Sequence, residues 1–244
     1  MRLLLEIIML SLFIRGFHLR NTVETTRLFQ GDIPRLESIE KRNAVPKDSQ
    51  RWPNGVIPYK IHKGLDHLKS EILKAMKYIM DNTCIKFVPW DRSQQSYLNI
   101  FSGDGCYSAW GRMGGMQELS LGSGCEQIAI ILHELTHAIG FDHEQNRPDR
   151  DDYLHVFWHN ILPSAVNQFD KLKPEESRLF NKIDFNSIMM YGERASSKDG
   201  YHRTLKVKNR RIRLTDLIKK TKLSESDIYR INALYECDKQ RSDV

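Results

Sequence analysis

His133, Glu134, His137, Gly140 and His143 stand within the stretch HELTHAIGFDHEQNRPDRD, residues 133–151. Histidines four apart lie one turn apart on the same face of a helix, so both imidazoles can reach one point. Glu134 lies off that line and suits a water molecule better than a metal ion. This H-E-x-x-H arrangement offers two zinc ligands and a general base. His143 cannot join them on a continuing helix, where it would sit about 15 Å along the axis from His133 and be rotated away from it. Gly140 removes the difficulty, because a glycine readily takes the positive-φ conformation that ends a helix and turns the chain back. Three neutral imidazoles with a fourth position open form the donor set of a catalytic zinc site, one ion per chain.

Several elements must position these residues. Turn signals in NAVPKDSQRWPNG precede a strand predicted at 56–61. Asp66 reads as an N-cap, and Leu68, Ile72, Leu73, Met76, Ile79 and Met80 recur at helical spacing. CIKFV, YLNIF and ELSL read as further strands. QIAIILHELTHAIG is apolar on most of its surface and predicts a buried helix ended by Gly140. A helix is predicted around 164–172 and another over 224–235. Strands early and helices late predict an α+β fold.

The chain has 244 residues, 40% hydrophobic and 28% charged, which bounds it to one ordinary domain with short extensions, or at most two small ones. Its net charge of +6 is uneven: residues 203–222 hold nine Lys or Arg against one acid, Asp216. No recognition motif accompanies that block, so it reads as a solvated surface and nucleic acid is not expected as a partner. The opening MRLLLEIIMLSLFI is too short to span a bilayer and fits a secretory signal over 1–16. Residues 17–42 are polar and end in the dibasic IEKR, which suits a propeptide released by a processing protease. Four cysteines without a C-x-x-C pair predict two disulfides in an oxidising compartment, with three pairings open. His155 and His159 are also four apart, but no acid lies between them and no metal is assigned there. Trp52, Trp90, Trp110 and Trp158 are read as core or cleft packing.

The stretch 133–151 resembles the signature of the astacin family of metzincin zinc metalloendopeptidases, H-E-x-x-H-x-x-G-F-x-H-E-x-x-R-x-D-R-D, and fills every fixed position. The resemblance implies zinc ligands at His133, His137 and His143 and a catalytic base at Glu134. It also implies a two-subdomain fold, with a twisted mixed sheet, a long active-site helix and a cleft between the subdomains. SIMMY, residues 187–191, resembles the family's Met-turn, implying Met189 beneath the metal and Tyr191 near it as a displaceable ligand that can later hydrogen-bond the substrate oxyanion. Most relatives carry His where this chain has Met190. FQGDI, residues 29–33, resembles the latency motif of astacin propeptides, implying Asp32 on the metal in a zymogen. Glu144 is implied to meet the amine of Asn43 once cleavage after Arg42 frees it. The cysteine pattern implies pairs Cys84–Cys237 and Cys106–Cys125.

These readings divide the chain into a signal peptide (1–16), a propeptide (17–42), a protease domain (43–237) and a tail (238–244). They predict a secreted, monomeric, zinc-dependent endopeptidase acting on proteins or peptides, with no membrane attachment after signal removal. The competing reading is a catalytically weak or inactive binding protein on the same fold. Its mark would be loss of Glu134 or of a histidine ligand, and none is lost.

Overall fold

The computed structural model describes residues 28–29, 33–34, 44–45 and 47–242. The predicted signal, Asp32, and the Arg42–Asn43 junction lie outside the described residues. Two short strands, β1 (Leu28–Phe29) and β2 (Ile33–Pro34), pair antiparallel. The main sheet follows, built from β3 (Val56–Ile61), β4 (Lys86–Pro89), β5 (Tyr97–Phe101), β6 (Cys106–Ser108) and β7 (Met116–Leu121), in the order β4-β3-β5-β7-β6. Only β6 runs antiparallel to its neighbour. The parallel crossover is supplied by α1 (Lys69–Asn82), whose buried Ile72, Ala75, Met76 and Ile79 fall on one face at helical spacing.

α2 (Ile128–Ile139) carries the H-E-x-x-H residues and is buried from Ala129 to Ile139. A helix buried this deeply must find partners for its last carbonyls. The Trp52 indole N–H donates to Ala138 at 2.8 Å, the Tyr235 hydroxyl to Ile139 at 2.7 Å, and the Gly111 amide to His137 at 2.9 Å. Tyr235 comes from the end of α3 (Glu225–Leu234), whose start is closed by a reciprocal capping box between Ser224 and Asp227. A ribbon of β8 (Leu154–Val156) and β9 (Leu205–Val207) forms a separate antiparallel pair.

Two hydrophobic cores result. The larger lies between the main sheet, α1, α2 and α3; the smaller gathers Leu154, Ile161, Phe169, Ile183, Met190, Leu205 and Val207. The α+β, two-subdomain expectation therefore holds. Both disulfides pair as the resemblance implies, Cys84 with Cys237 and Cys106 with Cys125. Other expectations are corrected. The helix expected over 164–172 is a 3-10 helix, Pro163–Phe169. After α3, Cys237–Ser242 form a short helix, α4. Trp52 and Trp110 are core residues, whereas Trp158 is 45% exposed, with the Arg150 guanidinium 5.7 Å from its ring centre.

Candidate metal centre

α2 ends as its sequence requires. Gly140 takes φ 129°, donates to the carbonyls of His137 and Thr136, and turns the chain so that His143 faces back toward α2. A Cβ at Gly140 would come within 3.0 Å of Val45, so the position is closed both by conformation and by packing. His143 Nε2 lies 3.2 Å from His133 Nε2 and 3.2 Å from His137 Nε2, and all three imidazoles are buried. Among the described residues these three form the metal-competent group, their ligand nitrogens within 4.8 Å of one another. His155 and His159 are not part of such a group.

The donor chemistry fits zinc. His133 Nδ1–H donates to the Ile188 carbonyl at 2.9 Å, and His137 Nδ1–H to the Phe141 carbonyl at 2.7 Å. Those bonds assign the proton to Nδ1 in both rings and leave the Nε2 lone pairs facing inward. Crowding such lone pairs is unfavourable unless a cation stands between them. Tetrahedral zinc with Zn–N of about 2.0–2.1 Å needs neighbouring nitrogens about 3.3–3.4 Å apart, close to the spacing observed. Glu134 is buried on the same helix, one residue beyond the first histidine.

The Met-turn residues 187–191 close the other side. Met189 is buried in the larger core and Met190 in the smaller one, so adjacent methionines anchor the turn in both halves of the molecule. Met190 thus serves as an apolar plug in the smaller core. The Tyr191 ring centre lies 4.6 Å from that of His143, and its backbone N–H donates to Gln145 Oε1 at 3.2 Å.

Three residues that support this site escaped the sequence reading. Asp227 accepts from Ser187 Oγ at 2.6 Å and from the Ile188 amide at 2.8 Å, fixing the residue whose carbonyl orients His133. Lys220 Nζ donates to the carbonyls of Ser187 at 2.6 Å and Met190 at 2.7 Å. Arg230 reaches Glu144 with both terminal nitrogens, and the Asp184 amide donates to Glu144 Oε2 at 2.9 Å. Burial pushes the Glu144 carboxyl up, against the pull of Arg230 and Arg147. Glu144 therefore has a cation from within the folded chain, whereas the predicted partner, Asn43, lies outside the described residues. The available signal was a pair of ionisable residues three apart, Asp227 and Arg230, on one face of a helix.

A buried H-E-x-x-H helix, reversed at a glycine to deliver a third imidazole over a methionine turn, defines the metzincin class of metal-dependent hydrolases. Comparison with known proteins agrees. The model of the Astacin peptidase family matches residues 44–236. The chain is 42% identical over 220 residues to astacin-like metalloprotease toxin 1 of Loxosceles intermedia, covering 88% of this chain and 83% of that protein. It is 41% identical over 220 residues to zinc metalloproteinase nas-4 of Caenorhabditis elegans, covering 85% and 69% respectively. It is also similar in structure to high choriolytic enzyme 1, a hatching enzyme zinc-protease from Oryzias latipes, with TM-score 0.69 and 37% identity over 77% of this chain and 93% of that one. The chain belongs to the astacin family and is a zinc metalloendopeptidase.

Two outcomes follow from the supporting groups. Arg230→Met leaves the Glu144 carboxylate buried without its main partner and lowers stability by about 3–5 kcal/mol in urea unfolding. Adding Glu144→Gln recovers part of that loss, and no recovery would mean that Arg230 acts by packing alone. Burial lowers the Lys220 pKa from 10.5 to about 8. Below that range folded and unfolded chains both hold the proton, and the folded state carries the full cost of burying it. As pH rises from about 8 toward 10.5, the folded chain releases the proton first and this cost is relieved. Wild type should therefore gain stability relative to Lys220→Met between pH 7 and pH 10. A difference that stays flat or shrinks would remove Lys220 as the responsible group.

Proposed function

We propose that this chain is a secreted endopeptidase made as a zymogen, with Glu134 and Tyr191 as its catalytic residues and His133, His137 and His143 as its metal ligands. The observation that carries the proposal is the convergence of His143 Nε2 on His133 Nε2 and His137 Nε2, each at 3.2 Å, with the tautomers of His133 and His137 set by backbone carbonyls and Glu134 beside them on the same helix. Zinc held there supplies Lewis acidity, which acidifies a water and polarises a peptide carbonyl. Glu134 accepts the proton of the attacking water and returns it to the leaving amine. The Tyr191 hydroxyl donates to the carbonyl oxygen as negative charge develops on it. Met189, buried in the larger core, and Glu144, locked to Arg230, hold the frame and take no part in proton transfer.

Secretion is supported by the two disulfides, which belong to an oxidising compartment, and by the short apolar N-terminal run. Among the described residues no helix is long and apolar enough to cross a membrane. A monomer is proposed because all three ligands and the proposed base come from one chain.

Latency through Asp32 is supported by its flanks. β1 and β2 pair on either side of it, and β2 lies against β6, which itself packs on α2. A carboxylate carried on the same chain at high local concentration would compete for the open metal position. Release of residues 17–42 is then chiefly removal of that carboxylate, since Glu144 already has its cation in Arg230. The inactive-scaffold alternative has no observation in its favour, because Glu134 and all three histidines are in place.

Cleavage of casein by the 43–244 form is expected to fall by roughly 100- to 10,000-fold in Glu134→Ala while one zinc is still bound. Full activity in that variant would remove Glu134 from the mechanism. Separately, Asp32→Ala in the uncleaved precursor should yield measurable activity without proteolytic processing. A variant as silent as the wild-type precursor would overturn latency through Asp32.

A further inference from the structure

The block of cations at 203–222 is not used by the metal centre, and the structure divides it by role. Lys220 is buried on the Met-turn, Arg203 and Arg213 share the single carboxylate of Glu193, and Lys219 pairs with Asp216. Lys206, which like Lys208, Arg210, Arg211 and Lys222 has no ion pair among the described residues, stands beside a cavity. It lies on β9 directly across from His155 of β8, on the face of the ribbon opposite to buried Leu154, Leu205 and Val207. Beside it opens a concavity of about 510 Å³ lined by Phe157, His159, Arg194, Tyr201, Arg203 and Lys206, with Asn160 and His202 completing it. That volume lies within the roughly 300–1,000 Å³ typical of small-ligand sites. No carboxylate lines it, and none of its residues belongs to the metal centre.

The walls are set in place by bonds that leave the cations facing outward. Arg194 uses its Nε–H on the Tyr201 carbonyl at 2.7 Å, which leaves its terminal nitrogens for another acceptor. Among the described residues neither Arg194 nor Lys206 has an ion-pair partner. The loop that carries Arg194 and Tyr201 is fastened to the opposite wall by Asn160, which donates to the Arg203 carbonyl at 2.8 Å, and by the Leu162 amide, which donates to Ser196 at 2.9 Å. Asp199, the acid of this loop, is used internally: it accepts from Ser197, from the amides of Tyr201 and His202, and from the His202 ring. Exposed Tyr201 and part-buried Phe157 add aromatic surface among the positive groups.

We infer that this concavity is a binding site for a sulfated polysaccharide, separate from the peptidase centre. Guanidinium and ammonium groups match sulfate oxygens, and aromatic rings among them offer a flat apolar surface to a sugar ring. The disulfides place the folded chain in an oxidising compartment, where such glycans rather than nucleic acids are the abundant polyanions. An enzyme held on a sulfated matrix would act on proteins embedded in it.

The test is the affinity of the purified protein for a short heparin oligosaccharide near physiological ionic strength. Three forms are compared: wild type, Arg194→Gln/Lys206→Gln, and a charge-matched control, Lys74→Gln/Lys77→Gln, on the exposed face of α1. The pocket variant should bind roughly tenfold more weakly, the sum of two exposed charged contacts. The control should match wild type, and both variants should cleave a short peptide at the wild-type rate. Desulfated oligosaccharide should fail to compete, and Tyr201→Ala should weaken binding without changing its salt dependence. Equal weakening in the pocket and control variants would overturn the proposal in favour of bulk charge. Equal competition by polyglutamate or by a single-stranded oligonucleotide would overturn it as well.

Discussion

The metal centre depends on two hydrogen bonds that never touch the metal position, His133 Nδ1–H to Ile188 and His137 Nδ1–H to Phe141. A neutral imidazole has one donor and one acceptor nitrogen, and these bonds decide which is which. With the donors turned outward, the acceptors must meet in the middle, at separations that favour a cation. The surrounding scaffold can be understood as keeping those two carbonyls in place. Phe141 follows Gly140, and that turn is fastened by the Val45 amide on Gly140 and by Ala44 pairing with Phe141. Ile188 sits in a turn held by Asp227 through its amide and flanked by two carbonyls that Lys220 grips.

That second turn also explains how two cores become one site. Met189 enters the larger core and Met190 the smaller, so the backbone between them is pinned from both sides. A polar side chain in place of Met190 would need a partner in a pocket otherwise built of Leu, Ile, Val and Phe. An apolar residue there needs none, so Met190 suits this position without a hydrogen-bond partner. Tyr191, next in sequence, emerges from the second core toward His143 and is steadied by Gln145 through its backbone.

Much of this was legible in the sequence because the decisive signals are local. Two histidines on one helix face, a glycine that must end the helix and a third histidine three residues later are all read within eleven positions. The helices and the longer strands of the main sheet follow from periodicity in the same way. What escaped was non-local. β6 and β9 have three residues each, too few for alternation to declare itself, and they exist because β7 and β8 pair with them. Asp227 and Arg230 look in sequence like the polar face of an ordinary surface helix. Only the packing of α3 against residues about 40 and 86 positions earlier turns that face inward.

Arg230 also bears on how the site could be switched. A buried carboxylate next to a metal ligand needs a counter-charge, and if the only source were a newly cut N-terminus, folding of the site would wait on cleavage. Here the counter-charge is part of α3, one turn beyond the Asp227 that secures the Met-turn. The same short helix therefore compensates Glu144 and fixes the carbonyl that orients His133, so both are achieved as the helix docks. Coupling of this kind separates assembly of the centre from its exposure to substrate. On the zymogen proposal, the precursor folds with its three imidazoles already converged, and occupation of the open position is the control.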